Sequence, residues 1–227
     1  MKVLVNKILP REAFEQLSSF AEPILFSVQS VVDEPLAGHV DIFCAKVENT
    51  LVLAPNTPKY VVEKLEKAGA DFVFGETEVT NKLETLWAYN VLIDSNFCVC
   101  NTKFLDIKLQ KMLSLQKMFH VKQGFSRCSA ISVGGAVLTS DVGICKVLKN
   151  NEIQGLLVSQ EGIELPGYRN GCFGGACGVM DDKFFVVGSL KHHKQGEEIR
   201  NFVQERGFEV VELANRPLLD VGSLVFF

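Results

Sequence analysis

Short apolar blocks alternate with polar or glycine-rich turns along the whole chain, and the blocks recur in one order. Met1–Asn6 reads as a strand, Pro10–Phe20 as a helix with Phe14, Leu17 and Phe20 at helical spacing, and Pro23–Val28 as a second strand. The next block is the clearest: Asp41–Val47 strand, Glu48-Asn49 turn, Thr50–Ala54 strand, Thr57-Pro58 as helix cap, Lys59–Ala68 helix stopped at Gly69, and Asp71–Phe74 strand. Its order is β-β-α-β. A polar helix over Glu78–Ala88 precedes a third block, with strands Asn90–Asp94 and Phe97–Cys100 and a helix over Ile107–Phe119, strand-like to Gln123. A fourth opens at Cys128, turns at Gly134-Gly135, returns through Ala136–Leu138, carries a helix Asp141–Lys149 capped by Ser140, and closes with Leu156–Ser159. A fifth opens near Gly174, turns at Asp181-Asp182, returns through Phe184–Val187, and ends with helix Glu197–Glu205 and strand Glu209–Leu213. Leu219–Phe227 is then one strand without a partner, and Met1–Phe20 with Pro23–Val28 is a unit lacking its first strand. Pairing the two ends completes that unit and makes five in all. Division of 227 residues by five units gives a period of about 45, the range in which stacked repeats bury their apolar faces against one another.

Composition agrees with a packed protein, since 47% of residues are hydrophobic and 22% charged. No linker rich in Pro, Gly or Ser divides it, so residues 1–227 are expected to form a single domain. The net charge of −4 leaves no basic field for nucleic acid. No apolar run approaches the roughly 20 residues that cross a bilayer, and the first ten residues are too short and interrupted for a signal peptide. A cytoplasmic location is the expectation. Seven cysteines, an odd number in a chain read as lacking an export signal, are expected to be reduced, with Cys44, Cys98, Cys100 and Cys145 as small apolar packing residues. Cys172 and Cys177, five apart among glycines, are open to three readings: a redox pair, metal ligands or nothing. Zinc-site spacing is missing around them, and the glycines there lack the Gly-Lys-Ser/Thr ending of a phosphate loop.

Three motifs carry candidate chemistry. Gly38-His39-Val40-Asp41 places an imidazole and a carboxylate two residues apart, on one face if the backbone is extended. Arg127-Cys128-Ser129-Ala130 puts a thiol at the mouth of a strand, with Arg127 expected to face the other way. Phe173-Gly174-Gly175-Ala176 forms a glycine loop before another strand. A chain of five β-β-α-β units with these motifs resembles the pentein superfamily, which holds the guanidino-group modifying enzymes and also the ribosome anti-association factors, which are not enzymes. The resemblance implies an α/β, five-bladed propeller closed by pairing of the N- and C-terminal segments. It also implies Cys128 as nucleophile, His39 as general acid/base and Asp41 as a guanidinium-binding carboxylate, with no metal or organic cofactor. The spacing fits whole units: 89 positions from His39 to Cys128, and 92 from Gly174 through Phe227 round to His39.

Two departures stand out. The cysteine falls mid-chain, as in a circular permutation of the family's order. Phe173 and Ala176 occupy the places of the family's acidic loop residues. The site expected is therefore Cys128 and His39 with Asp41, Phe173, Gly174, Gly175 and Asp220 against a small-molecule substrate or ligand in a central cavity. Asp94, Glu161 and Glu164 are further acids that would serve in place of the lost ones. Either the chain is a cysteine-dependent hydrolase or transferase acting on a guanidino, amidino or related C–N substrate, or it is a catalytically inactive module binding a ligand or protein partner.

Overall fold

The computed structural model describes residues 1–227. In chain order the elements are β1 (Lys2–Asn6), α1 (Arg11–Ser18), β2 (Glu22–Phe26), α2 (Val40–Phe43), β3 (Cys44–Val47), β4 (Thr50–Leu53), α3 (Lys59–Lys67) and β5 (Phe72–Phe74). Then follow α4 (Leu83–Leu86), β6 (Leu92–Ile93), β7 (Phe97–Cys100), α5 (Ile107–Met112) and β8 (Lys117–His120). The fourth block comprises α6 (Ser126–Ser129), β9 (Ala130–Val133), β10 (Ala136–Thr139), α7 (Val142–Asn150) and β11 (Gly155–Leu157). The chain ends with β12 (Cys177–Met180), β13 (Lys183–Val186), α8 (Gly196–Gln204), β14 (Glu209–Glu212) and β15 (Val225–Phe226).

Five three-stranded sheets result, ordered β3-β4-β5, β6-β7-β8, β9-β10-β11, β12-β13-β14 and β15-β1-β2. Each begins with an antiparallel pair, such as Cys44 opposite Leu53, and ends with a parallel pair made by crossing through a helix, such as Leu51 beside Phe72. The last sheet is assembled from both ends of the chain, with Val3 opposite Phe226 and Leu4 opposite Val225. Four of the five crossover helices fix themselves to their sheets with an apolar pair four residues apart, Ala13 and Leu17, Val61 and Leu65, Ile144 and Leu148, Ile199 and Val203, while α5 buries Leu109 with Leu113 just beyond its end. One face of each helix is thus buried while the opposite face stays charged, which suits an outer layer of helices around inner strands. No helix is long and apolar enough to cross a membrane.

Several predicted boundaries move. Asp41–Val47 is not one strand: Val40–Phe43 makes a helical turn and the strand begins at Cys44. Cys128 likewise sits in the turn Ser126–Ser129, and Gly174–Ala176 in a single 3-10 turn. All four residues of Val40–Phe43 are buried, so no polar face marks them as helix or strand. The helix over Ile107–Phe119 ends at Met112, and Lys117–His120 pairs with Phe97–Cys100 to complete the third unit. Helix Glu78–Ala88 shrinks to Leu83–Leu86, and the last strand to Val225–Phe226, leaving Leu219–Ser223 as loop. Asp141, not Ser140, caps α7 by accepting from the Ile144 amide at 2.8 Å.

Phe226 is 4% exposed and its ring lies 4.9 Å from that of Phe185, so it joins the terminal sheet to its neighbour. Phe226→Ala is expected to lower unfolding free energy by about 3–5 kcal/mol in urea titrations; a loss below about 1 kcal/mol would show that the end pairing contributes little.

Candidate functional site

The turns before the first strands of the sheets bring their side chains together. Asp41, on α2, is buried and accepts from the Cys128 thiol, whose sulfur stands 3.1 Å from Oδ1 and 3.0 Å from Oδ2. It also accepts from the Ser223 hydroxyl at 2.5 Å. His39, the residue that opens α2, places Nδ1 at 3.9 Å from the same sulfur. Its Nε2 is 4.0 Å from Asp220 Oδ1 and has no hydrogen-bond partner. Asp220 is held by two backbone amides, Cys172 N at 2.8 Å and Gly222 N at 3.0 Å. Three sheets thus deliver one continuous cluster, Asp220, His39, Cys128 and Asp41.

Two glycines make this packing feasible. Gly222 has φ +71°, and a Cβ there would stand 2.3 Å from His39 Cα. A Cβ on Gly175 would stand 2.0 Å from Asp220 Oδ1. The glycine loop therefore leaves room for the carboxylate that the loop itself lacks. Its carbonyls also hold the neighbourhood: Gly175 O accepts from Val221 N and Ser223 N, and Gly174 O from Arg127 Nη1 at 2.9 Å. Phe173 packs in the core, fully buried and stacked on Phe184 with centroids 6.4 Å apart. Of the other acids considered, Asp94 accepts from Ser132, Glu161 pairs with Lys194 and Glu164 with Arg216. Asp220 alone among them reaches the histidine.

Arg127 does not face away from the thiol's surroundings as its strand position predicted. The helical turn swings it inward, where its guanidinium donates to the carbonyls of Ala130, Gly174 and Cys177. Asn90 and Ser223 were not singled out from sequence. The only signal available was their place in the repeat, two positions before a first strand, as for Cys128.

Electrostatics follows from burial. Cys128 is 4% exposed, and desolvation followed by the nearby Asp41 carboxylate pushes its thiol well above the ordinary range. Burial also raises the Asp220 carboxyl, opposed by His39. His39, Asp41 and Cys128 present nitrogen, oxygen and sulfur within 4.8 Å of one another. Ligands of one tetrahedral zinc would hold sulfur and oxygen about 3.6 Å apart. The observed 3.0 and 3.1 Å separations are those of a shared proton. Cys172 and Cys177 are both free thiols. The Cys172 sulfur accepts from Ser129 and Gln160, whereas Cys177 is fully buried in an apolar cluster.

Residues 4–225 match a family described as being of unknown function, DUF6873. The chain belongs to that family. A search of the curated proteins finds no match. Among solved structures it is similar to the agmatine deiminase of C. jejuni, at 10% identity and TM-score 0.56, with 94% of this chain and 87% of the other covered. It is also similar to SxtG, an amidinotransferase of Microseira wollei in the saxitoxin biosynthetic pathway, at 11% identity and TM-score 0.55, with 95% and 88% covered. A third is DDAH of Pseudomonas aeruginosa, solved in complex with citrulline, at 8% identity and TM-score 0.53, with 93% and 91% covered. At such identities the likeness is one of fold: this DUF6873 chain has a pentein-like α/β fold of five three-stranded sheets, as the resemblance implied.

A cavity of about 190 Å³ lies where the first strands of all five sheets meet, walled by Lys46, Ile93, Ile131, Val179 and Phe226 and by Asp41 and Arg127. Cys128 and His39 are not among its walls. A larger groove of about 790 Å³ runs over Gly38, beside His39, bordered by Asn6, Glu34, Pro35 and Gly167.

Six thiols, Cys44, Cys98, Cys100, Cys128, Cys172 and Cys177, are raised chiefly by burial, Cys98 to about 11 and Cys172 to about 12. The native state then holds these protons more tightly than the unfolded chain. Their contribution is fully present below the unfolded thiol pKa of about 8.5 and is lost as pH rises through the shifted values. Under reducing conditions the urea midpoint is expected to fall between pH 7.5 and pH 10; a midpoint constant over that interval contradicts the assignment.

Proposed function

We propose that this protein is a cysteine-dependent hydrolase or transferase acting on a guanidino, amidino or related C–N substrate. The observation that carries the reading is the meeting of a thiol, an imidazole at 3.9 Å and a carboxylate at 3.0 Å in one buried cluster. Cys128 is the nucleophile, His39 the general acid/base, and Asp220 the carboxylate that steadies an imidazolium. Asp41 grips the substrate cation, while Phe173, Gly174 and Gly175 form the wall behind Asp220. The activities of the fold relatives come to this chain only through this proposal, because fold by itself does not establish chemistry.

The resting thiol is protonated and bonded to Asp41, so the site needs a trigger. A guanidinium or amidinium group pairing with Asp41 draws that carboxylate's charge away from the sulfur and sets a positive charge beside it. The thiol proton then passes to His39, and the thiolate attacks the electron-poor central carbon. The imidazolium returns its proton to the departing amine as the C–N bond breaks, leaving an amidino group on sulfur. Water, deprotonated by His39, then attacks that carbon and releases the thiolate with a ureido-type product. An amine attacking in place of water makes the protein a transferase.

The runner-up is a catalytically silent module that binds a ligand or protein. One observation favours it: His39, Asp41, Cys128 and Asp220 are each at most 4% exposed, so the resting site is shut.

A cationic and a neutral alkylating agent of equal size separate the readings. 2-Chloroacetamidine is expected to label Cys128 at pH 7.5 at least about tenfold faster than 2-chloroacetamide, with the advantage lost in Asp41→Asn. Ureido product formation from arginine, agmatine or guanidinoacetate is expected to fall by about 10² or more in His39→Ala. Equal labelling by both agents, with no turnover of any of the three compounds, would leave the silent module.

A further inference from the structure

The repeat places Asn90 two positions before β6, Cys128 two before β9, Gly175 two before β12 and Ser223 two before β15, while Asp41 stands three before β3. Every unit thus sends at least one residue to the same centre, and His39 and Asp220 come as second contributions from two of them. Gly175 makes room, Ser223 bonds Asp41, and Cys128 with Asp41 carries the proposed chemistry. Asn90 is the contribution still without a role.

Its side chain is fully buried, and all four of its hydrogen bonds go to the residues of the cluster or to the turn carrying the thiol. Oδ1 accepts from Arg127 N at 2.7 Å and Cys128 N at 3.1 Å. Nδ2 donates to the Asp41 carbonyl at 3.1 Å and to the Cys128 sulfur at 3.4 Å. An apolar residue here would bury as well but would leave two amides of the helical turn unpaired. An aspartate would cap the turn but present a second anion to the sulfur. The amide accepts twice from the turn while its two N–H groups donate to the Asp41 carbonyl and the thiol's sulfur, and a donor to sulfur favours the thiolate where Asp41 favours the thiol.

We propose that Asn90 is a positioning residue for Cys128, its oxygen fixing the turn that aims the sulfur and its N–H stabilising the sulfur after the proton leaves. The inference rests on Cys128 being the nucleophile.

Asn90→Asp keeps an acceptor for the turn and removes the donor; Asn90→Ala removes both. Iodoacetamide labelling of Cys128, followed by peptide mass spectrometry from pH 7 to pH 10, is expected to slow about tenfold in each variant, with the rate profile displaced to higher pH. A purely structural residue would lower the urea midpoint and leave the profile where it was, and that result overturns the proposal. A second measurement needs no folded Asn90 variant. In the unaltered protein the Asn90 side-chain amide resonances are expected to shift with pH in step with Cys128 labelling, and to stay fixed in Cys128→Ser. Amide signals indifferent to pH overturn the proposal. Neither readout depends on turnover: a chain inert toward every guanidino compound yet showing both effects would end the enzymatic reading and keep the placement of Asn90.

Discussion

A buried carboxylate must be hydrogen-bonded or it destabilises whatever encloses it, and at the centre of this molecule that carboxylate is Asp41. Its two oxygens take the Cys128 thiol and the Ser223 hydroxyl, its backbone carbonyl takes the Asn90 amide, and its own amide donates to Gly222 O. These partners come from three further units of the repeat. One charge therefore ties the inner ends of four sheets, where apolar contact alone would not specify how the units meet. The surrounding strands and helices supply burial; the polar centre supplies register.

That same burial sets the chemistry. Excluding water from Cys128 strengthens each contact the sulfur makes, and Asp41 turns that strength toward the protonated form. Arg127 makes no ion pair with Asp41, since its guanidinium is spread over three carbonyls of the fourth and fifth blocks, but its charge is close enough to be felt by Asp41 and Cys128. Two acids, Asp41 and Asp220, thus share one enclosure with the imidazole and the thiol, and Arg127 stands beside them on the wall of the central cavity.

Much of this was legible in the residues. Alternation with period two, turns such as Gly134-Gly135 and Asp181-Asp182, and helix stops at Gly69 and Gly207 mark real elements. The helices read over Pro10–Phe20, Lys59–Ala68, Asp141–Lys149 and Glu197–Glu205 are seen as α1, α3, α7 and α8, although α1 buries Ala13 with Leu17 and leaves Phe14 and Phe20 half-buried. The short turns at Val40–Phe43 and Ser126–Ser129 were not legible, because four residues, buried throughout in the first and all but Arg127 in the second, leave no periodicity to read. That error also misdirected Arg127, whose side chain points inward only because the backbone coils before β9.

Local pattern determined the repeat and the pairing of the chain's ends, since both follow from periodicity; the meeting of His39 with Cys128 is what the family resemblance implied, and counting whole units agrees with it. Tertiary structure alone decided which acid stands beside the histidine. Asp94, Glu161, Glu164 and Asp220 are equivalent as letters, but only Asp220 lies on a loop that the backbone amides of Cys172 and Gly222 hold against His39. It decided also that Asn90 and Ser223 belong to the centre, because hydrogen bonds between segments far apart in the chain leave no mark on either segment.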